Sequence, residues 1–452
     1  HQIRLSLINI NNDLDYRESN LANSRILGSD LAQKNLSIGG SLKSKWNPVF
    51  STHLHAYHTK YDLTSRSIYE SSGQTLEQKN LVDENALKVH TFWNVGTPFL
   101  WENGYQFTET SITNQTSVSQ PPFESMAKGV VQSHALYSQL RYQSPNKRLL
   151  AQTGMRLNYY KNRDSLATFD KFLAEPRLNL SYEIVKDLTV EALGEFKSQA
   201  THQIVDLEQN FLGVEKRRWI LSNEKDLPII TSKQGSLGIS YDHNKLYTGL
   251  TGFYKKVNGV SISTQGFENE YQFNGEIGEY DVRGVEVLLN AKTEITSAWL
   301  SYTYNENTYE YDALDPNRFP NNFDVRHDVT FGGIVTMDSF KLAFGINYRT
   351  GKPYTQPDGE SPLNTSLFPT RINYQPPNSS RLPEYFRADA SALYDFKLSD
   401  GINAKVGLSV LNFTNRKNIL DTYYRLTDDN QIETIETVSL GLTPNFSFRV
   451  GF

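Results

Sequence analysis

The sequence predicts an all-β protein, an antiparallel transmembrane β-barrel of which about eighteen strands lie in this chain. Three observations predict this fold. Apolar and polar residues alternate at every second position in many segments, the links between those segments alternate between short and long, and the composition combines few apolar residues with many aromatic ones.

The composition indicates a chain with a small buried apolar core. The apolar fraction is 38%, below the roughly 45–50% of ordinary globular chains, yet 26 Tyr and 24 Phe are present among 452 residues. Large barrels need apolar residues only at alternate strand positions and gather Tyr and Phe at the membrane interfaces. No run of 18 apolar residues is found, which excludes a transmembrane helix. Cysteine is absent and the net charge is −5, which exclude disulfides, thiolate metal sites and a nucleic-acid footprint.

The clearest strand is the C-terminal segment from Ser439 to Phe452. Successive side chains of a strand point to opposite faces, so strict alternation predicts one apolar face and one polar face. Fourteen residues exceed the roughly 9–11 that a tilted strand needs to cross a bilayer. The apolar positions are Leu440, Leu442, Pro444, Phe446, Phe448, Val450 and Phe452.

The same period recurs along the chain. A strand of a soluble core would not place Lys, Glu, Arg and Asp so regularly on its second face, whereas a water-filled or plugged lumen would. The segments that alternate most clearly begin at Leu178, Leu188, Val285, Phe340, Ala388 and Ala404.

The links differ in length in the way that membrane barrels show. Short links such as Asn47-Pro48-Val49 and Met337-Asp338-Ser339 carry the residues of tight turns. Long polar links are predicted near Asn11–Asn35, Thr201–Ser232 and Thr350–Glu384, longer than compact soluble domains usually allow. Short periplasmic turns and long extracellular loops indicate the outer membrane of a Gram-negative bacterium.

Two interpretations of the strand count stay open. The first strand is predicted near Gln2–Ile10 and runs outward if Phe452 ends in the periplasm. About eighteen strands could close a barrel, or could be the last eighteen of a larger one.

Several motifs resemble the C-terminal barrel portion of TonB-dependent outer-membrane transporters in the form common among Bacteroidetes. Tyr348 to Thr355 resembles Y-x-S/T-G-x-P-Y-T, Arg381 to Asp389 resembles R-L-P-x-Y-x-R-x-D, and Ser409 to Asn418 resembles S-V-x-N-x-x-N-R-K-N. Arg283 to Glu286, Asp324 to Thr330 and Arg218 to Ser222 also fit, so the resemblance covers about residues 205–452.

The resemblance implies a 22-stranded barrel preceded by a plug domain that fills the lumen. It also implies outer-membrane lipid, the protein's own plug, the TonB–ExbB–ExbD energy-coupling complex, a surface lipoprotein and a small-molecule, glycan or peptide ligand as partners. Residues 1–452 are then expected to be the C-terminal portion of the barrel, with the plug and the first strands outside this sequence.

Candidate ligand-binding residues lie in two long links. Cationic residues beside an aromatic ring can bind an anionic, iron-chelating or glycan ligand through charge-assisted bonds and stacking. Because Arg218-Trp219 also matches the family motif, a structural role is favoured for these two residues. The candidates are Lys216, Arg217, Arg218 and Trp219 in the first link and Tyr354 and Tyr374 in the second.

The polar face of the strands is expected to line the lumen and contact the plug, or simply to be hydrated. Its candidates are Glu191, Glu195, Glu286, Arg349, Arg387, Asp389 and Arg449.

The histidines predict neither a metal site nor an active site. His53 and His55 share a face and His58 points the other way, so no metal site is expected, and no cofactor either. His327 and Asp328 point to opposite faces without a nucleophile, so no catalysis is expected.

The resemblance therefore implies active import of a scarce nutrient, which could be a siderophore, haem, a vitamin, a glycan or a peptide. Two rival functions stay open: a passive eighteen-stranded porin, and an adhesion or assembly barrel that recognises a protein partner.

Overall fold

The computed structural model shows a chain built from β-strands. No described helix is long and apolar enough to cross a membrane. The residues that the structure describes are 1–20, 25–69, 73–94, 96, 98–163, 168–205, 217–225, 227–262, 276–366, 370–427 and 429–451.

Nineteen of the described strands belong to one sheet and the rest form four small two-stranded sheets. The first strands are β1 (Gln2–Asn20), β2 (Arg25–Lys45), β3 (Phe50–Tyr69), β4 (Gln74–Asn94), β5 (Phe99–Val118), β6 (Phe123–Gln143), β7 (Leu149–Asn162), β8 (Asp170–Val185), β9 (Leu188–Gln199), β10 (Thr201–Val205), β11 (Arg217–Leu221), β12 (Ile230–His243) and β13 (Leu246–Ser261). They are followed by β14 (Ile277–Lys292), β15 (Thr296–Glu310), β16 (Arg318–Pro320), β17 (His327–Met337), β18 (Phe340–Arg349), β19 (Pro353–Tyr354), β20 (Leu363–Asn364), β21 (Arg371–Ile372), β22 (Ser380–Arg381), β23 (Tyr385–Ser399), β24 (Ile402–Leu411), β25 (Ile419–Leu426), β26 (Ile432–Val438) and β27 (Thr443–Gly451).

The chain divides into two compact units. Unit 1 comprises residues 1–180, 193–234 and 257–279. Its strands β1 to β7 pair in chain order, each antiparallel to the next. The strands β1 to β6 are 19–21 residues long and pair without register shifts.

Two predicted features of unit 1 are wrong. The first strand does not end near Ile10, and no long link occupies Asn11–Asn35, because β1 and β2 remain paired as far as Asn20 opposite Arg25. At about 3.3 Å per residue these strands reach roughly 65 Å, well beyond a bilayer. Beyond Ile10 the apolar alternation of β1 is lost, but its pairing with β2 continues.

Unit 2 comprises residues 181–192, 235–256 and 280–452. Its strands β15, β17, β18, β23, β24 and β27 are 9–15 residues long and pair in that order. The register aligns apolar side chains across the strands into one row on one face. This row runs through Val335, Leu342, Ala392, Leu408 and Phe446.

The C-terminal strand is shorter than predicted. β27 begins at Thr443 instead of Ser439, because the backbone before it is bound by loop side chains: Leu442 N donates to Asn415 Oδ1 at 2.9 Å. Phe452 lies outside the described residues.

The predicted short links are confirmed as turns between paired strands. Their backbone reaches positive φ at Asp187 (68°), Asn244 (52°), Asp338 (39°) and Gly401 (87°). Asn, Asp and Gly tolerate this region, which is why they occur at these turns.

The distribution of apolar side chains is the reverse of that in a soluble protein. Leu136, Leu408 and Phe446 are 60%, 59% and 69% exposed, whereas many fully buried side chains are polar. An exposed apolar face of this kind is typical of a membrane barrel and unusual in a soluble monomer.

Candidate ligand-binding loops and polar wall

The predicted link Thr201–Ser232 contains a short hairpin, β10–β11, in unit 1. Thr201 pairs with Leu221 and Val205 pairs with Arg217. The predicted candidates Arg217, Arg218 and Trp219 therefore lie on β11, and Lys216 lies outside the described residues.

The backbone of Trp219 is bound on both sides by amide side chains of the sheet. Its N–H donates to Asn80 Oδ1 at 3.1 Å. Its carbonyl oxygen accepts from Asn80 Nδ2 at 3.1 Å and from Asn114 Nδ2 at 3.0 Å. Asn80 also donates to Asn114 Oδ1 at 2.9 Å and is 1% exposed. This arrangement fixes the hairpin to β4 and β5, so the contact that the structure shows for Trp219 is a structural one.

Apolar packing supports the same hairpin. Leu221 belongs to a buried cluster with Ile112, Val131 and Tyr160, and Trp219 packs against that cluster. Ile112 and the exposed Tyr105 of β5 are an odd number of residues apart, so they lie on opposite faces of the sheet. The hairpin therefore covers the face of β5 opposite the one that carries the exposed Tyr105.

The second predicted link, Thr350–Glu384 in unit 2, forms a two-stranded arm in its described residues, 350–366 and 370–384. Pro353 pairs with Arg381 at its base, Pro357 bridges Tyr374 midway, and Leu363 pairs with Ile372 further out. Its seven prolines do not prevent pairing because strand edges and turn positions accept proline.

The two tyrosine candidates occupy this arm. Tyr354 pairs with Ser380, and its hydroxyl accepts from Gln356 Nε2 at 2.5 Å. The ring of Tyr374 lies 6.4 Å from the ring of Tyr424 on β25. The arm thus meets the β25–β26 hairpin.

A buried carboxylate holds the base of the arm. Asp324 is fully buried and accepts from Asn307 N at 2.8 Å and Arg326 Nε at 3.0 Å. Arg381 binds the Asp324 carboxylate through Nη2 and, through Nη1, the carbonyl oxygens of Asp324 and Gly351 at 2.7 and 3.1 Å. One carboxylate therefore ties β15, the start of β17 and the arm together.

Asparagine side chains fix the loop between β24 and β27. Asn412 Nδ2 donates to the carbonyl oxygens of Arg416 and Leu440 at 2.9 and 3.0 Å. Asn418 accepts from Phe386 N at 2.9 Å and donates to Phe386 O at 3.0 Å. These amides replace the missing strand partners of the backbone, as buried polar groups require.

Comparison with known proteins assigns the family. Residues 4–413 match the family model described as "TonB dependent receptor-like, beta-barrel". The chain belongs to this family. No curated protein sequence matches it.

Solved structures show the same fold. The ferric yersiniabactin uptake receptor FyuA of Yersinia pestis matches with a TM-score of 0.65 and 13% identity over 94% of this chain and 62% of that one. The ferric citrate transporter FecA matches with 0.69 and 11% over 98% and 70%. BauA, the ferric preacinetobactin receptor of Acinetobacter baumannii, matches with 0.62 and 12% over 94% and 64%. This chain thus spans 62–70% of the length of these three proteins.

The family explains the exposed apolar face. TonB-dependent receptors are outer-membrane β-barrels of Gram-negative bacteria, and their function is transport rather than enzyme catalysis. The exposed apolar row of strands β15 to β27 is the feature expected on the outer face of such a barrel. A groove of about 620 Å³ on this face, lined by Ala298, Phe331, Phe344, Ala390 and Leu408, lies among these side chains.

Four of the predicted wall residues of the receptor share the polar face by register: Arg349, Arg387, Asp389 and Arg449. Arg387 Nε donates to Asp389 Oδ1 at 2.8 Å, and the guanidinium of Arg349 lies 4.5 Å from the Tyr385 ring centroid.

The three predicted glutamates of the wall lie in other strands. Glu191 accepts from Ser181 Oγ at 3.5 Å, and Glu195 forms an ion pair with Lys197 at 2.8 Å. Glu286 is exposed on β14. The structure therefore brings only part of the predicted wall into direct contact among the described residues.

The histidines do not form a metal site in the described part of the chain, where no group of three or more potential ligands could hold a metal ion. His53 pairs with His90 across β3 and β4, whereas His58 bonds Asn85 at 3.0 Å on the other face. His327 contacts the Tyr302 hydroxyl at 2.9 Å, and Asp328 pairs with Arg349.

Sequence reasoning missed the residues that anchor the loops. Asn80 gives no signal in the sequence, because its partner Trp219 is 139 positions away. Asp324 and Arg381 lie within quoted motifs, but a motif alone does not reveal that they bind each other.

Proposed function

We propose that this chain is the barrel part of a TonB-dependent active importer of a scarce nutrient, of the form common among Bacteroidetes. The family match over residues 4–413 carries the proposal. The charged polar face, with Arg349, Arg387, Asp389 and Arg449 in register, supports it, since a plugged lumen is polar.

The proposed ligand is a siderophore, haem, a vitamin, a glycan or a peptide captured by the extracellular loops. The matched structures include receptors for three ferric chelates and a copper transporter, at 11–13% identity. In this chain, Arg218 and Trp219 lie on one anchored loop and Tyr354 and Tyr374 on another, a combination suited to stacking and charge-assisted bonds.

The proposed mechanism is binding and gating. The loops capture the ligand, and force from the TonB–ExbB–ExbD complex rearranges an N-terminal plug domain so that the ligand passes inward. A plug domain and the remaining strands would belong to the same protein, and a surface lipoprotein would assist capture.

Uptake by intact cells tests the proposal. Cells with the full-length receptor should accumulate the limiting nutrient above its external concentration, and dissipating the proton gradient or deleting TonB should abolish accumulation. The mass and N-terminal sequence of the protein isolated from outer membranes should show a plug-sized domain upstream of His1.

Two other results would favour the rival functions. Uptake that only equilibrates and ignores the proton gradient, with ion conductance from the barrel, would indicate a passive porin. Tight retention of a protein partner, with no nutrient uptake, would indicate an adhesion or assembly barrel.

A further inference from the structure

A buried histidine lies within the β10–β11 hairpin of unit 1. His202 on β10 is 1% exposed. Its Nε2 atom lies 2.8 Å from the carbonyl oxygen of Pro228 and 3.0 Å from Ser222 Oγ. Its Nδ1 atom is buried and has no hydrogen-bond partner within the described part of the chain.

These contacts define the protonation state of the imidazole. A carbonyl oxygen can only accept, so Nε2 carries the proton and donates to Pro228 O. Nδ1 is then the unprotonated nitrogen of a neutral ring. A second proton on Nδ1 would place an unbonded N–H and a charge in a buried site, and this burial lowers the pKa of His202 below its ordinary value of 6.5.

Further hydrogen bonds hold the segment that follows the hairpin. Ser222 N donates to Ala200 O at 2.9 Å, and Asn162 Nδ2 donates to Ser222 O at 3.1 Å. Leu221 and Ile229, on either side of this segment, belong to the buried apolar cluster. His202 therefore connects β10 to Ser222 and Pro228, whose neighbours Leu221 and Ile229 pack in the buried cluster.

The titratable groups on the surrounding elements bind one another. Lys171 and Glu224 form an ion pair at 2.6 Å, and the Tyr160 hydroxyl lies 3.1 Å from Ser198 Oγ. Glu175 accepts from Ser198 N at 2.7 Å and lies 3.9 Å from Arg156. Arg218, on β11, pairs with Ile204 and not with His202 in the strand register. None of these carboxylates forms a described contact with the His202 ring that would stabilise an imidazolium.

We propose that His202 is a pH-sensitive latch of the β10–β11 hairpin. The neutral ring fixes β10 to Ser222 and Pro228, and the protonated ring is compatible only with a hairpin that has opened to water. The stabilisation is fully present above pH 6.5, the ordinary pKa that the ring regains when exposed, and is lost as the pH falls toward the lowered pKa of the closed hairpin. Within that window the equilibrium constant for opening the hairpin rises about tenfold for each unit by which the pH falls.

Amide hydrogen exchange of the full-length receptor in lipid nanodiscs tests the latch. Peptides covering 198–205 and 217–229 should lose protection between about pH 7 and about pH 5, after correction for intrinsic exchange. In His202→Gln the amide can still donate to Pro228 O but cannot titrate, so this loss should disappear. His243→Gln is the matched control, because His243 is half-exposed and bonds Asp187 at a turn; it should retain the full pH response.

A second measurement needs no variant. Deuterium exchange at the imidazole Cε1 position, read by mass spectrometry of the unaltered receptor, reports the titration of each histidine. His202 should titrate below pH 6.5, over the same pH range in which the hairpin amides lose protection. Titration of His202 at its ordinary pKa with a protected hairpin, or an unchanged pH response in folded His202→Gln, would overturn the proposal. Neither measurement involves transport, so the latch and the proposed function can fail separately.

Discussion

The two units anchor their long loops by different physical means. In unit 1 the β10–β11 hairpin is held by neutral amides and apolar packing: Asn80 and Asn114 bind the backbone of Trp219, and Leu221 is buried beside it. In unit 2 the arm from Thr350 to Glu384 is held by the buried charge of Asp324, which binds Arg326 and Arg381.

The difference predicts unequal sensitivity to substitution. Removing one partner of a buried ion pair costs about 3–5 kcal/mol, because the other charge remains buried and unpaired. Removing one neutral amide that satisfies a buried backbone group costs about 1–3 kcal/mol. The loops of unit 2 should therefore be more vulnerable to a single substitution than the hairpin of unit 1.

Asp324→Asn should have the largest effect. The substitution keeps the shape but puts an NH2 donor in place of one buried carboxylate oxygen, where it faces either the Asn307 N–H or the guanidinium groups of Arg326 and Arg381. We expect a cost of about 3 kcal/mol. Amide exchange in residues 305–326 and 350–384 should rise by roughly two orders of magnitude.

Asp395→Asn is the matched control for Asp324→Asn. Asp395 pairs with Lys405 at 3.0 Å, but both side chains are about two-fifths exposed. An exposed pair contributes about 0–1 kcal/mol, so exchange should hardly change. Equal effects of the two substitutions would contradict the role of the buried charge.

A charge in the apolar row should have the next largest effect. Phe446→Arg places a charge on the apolar face of β27, where it should cost about 2–4 kcal/mol. Ser447→Arg, one residue later, projects from the polar face and should be tolerated. Yield of heat-modifiable, protease-resistant barrel in outer membranes measures both. Similar losses for the two variants would show that the assigned faces are wrong.

The faces of the sheet could be predicted because alternation is a local property. Phe446 and Ser447 differ in polarity at adjacent positions, and the register through Leu408 and Ala392 confirms the apolar row. The short turns were equally predictable, because Asp338 and Gly401 carry the chemistry of positive φ.

The loops could not be predicted because their order comes from distant contacts. Residues 11–20 look like a link by composition, yet β2 pairs with all of them. Trp219 looks like a ligand contact, yet its backbone is bound by Asn80 and Asn114, more than a hundred positions earlier. Polar side chains in these segments satisfy the protein's own backbone, and no sequence period marks that role.

Gly351→Ala should test the base of the arm by sterics instead of charge. A Cβ at this position would lie 1.6 Å from the carbonyl oxygen of Leu382, so the backbone must move. We expect a cost of about 2–3 kcal/mol and faster exchange in residues 350–384. Gly345→Ala is the control, since its nearest neighbour, Phe331 O, would be 3.8 Å away. An arm that stays protected in Gly351→Ala would show that this close approach is not required.

Asn80→Ala should have the smallest effect of the series, about 1–3 kcal/mol, because it removes one neutral amide and leaves the apolar cluster intact. Exchange at residues 217–221 should rise by about tenfold to a hundredfold, while residues 201–203 stay partly protected through His202. Asn85→Ala is the matched control: Asn85 is exposed on the opposite face of β4 and bonds His58, so its loss should change stability by less than about 0.5 kcal/mol.

If Asn80→Ala opened its hairpin as far as Asp324→Asn opens the arm, the distinction between amide and charge anchoring would be wrong. If it opened the hairpin less than Asn85→Ala did, packing around Leu221 alone would hold unit 1, and the contrast with unit 2 would be sharper still.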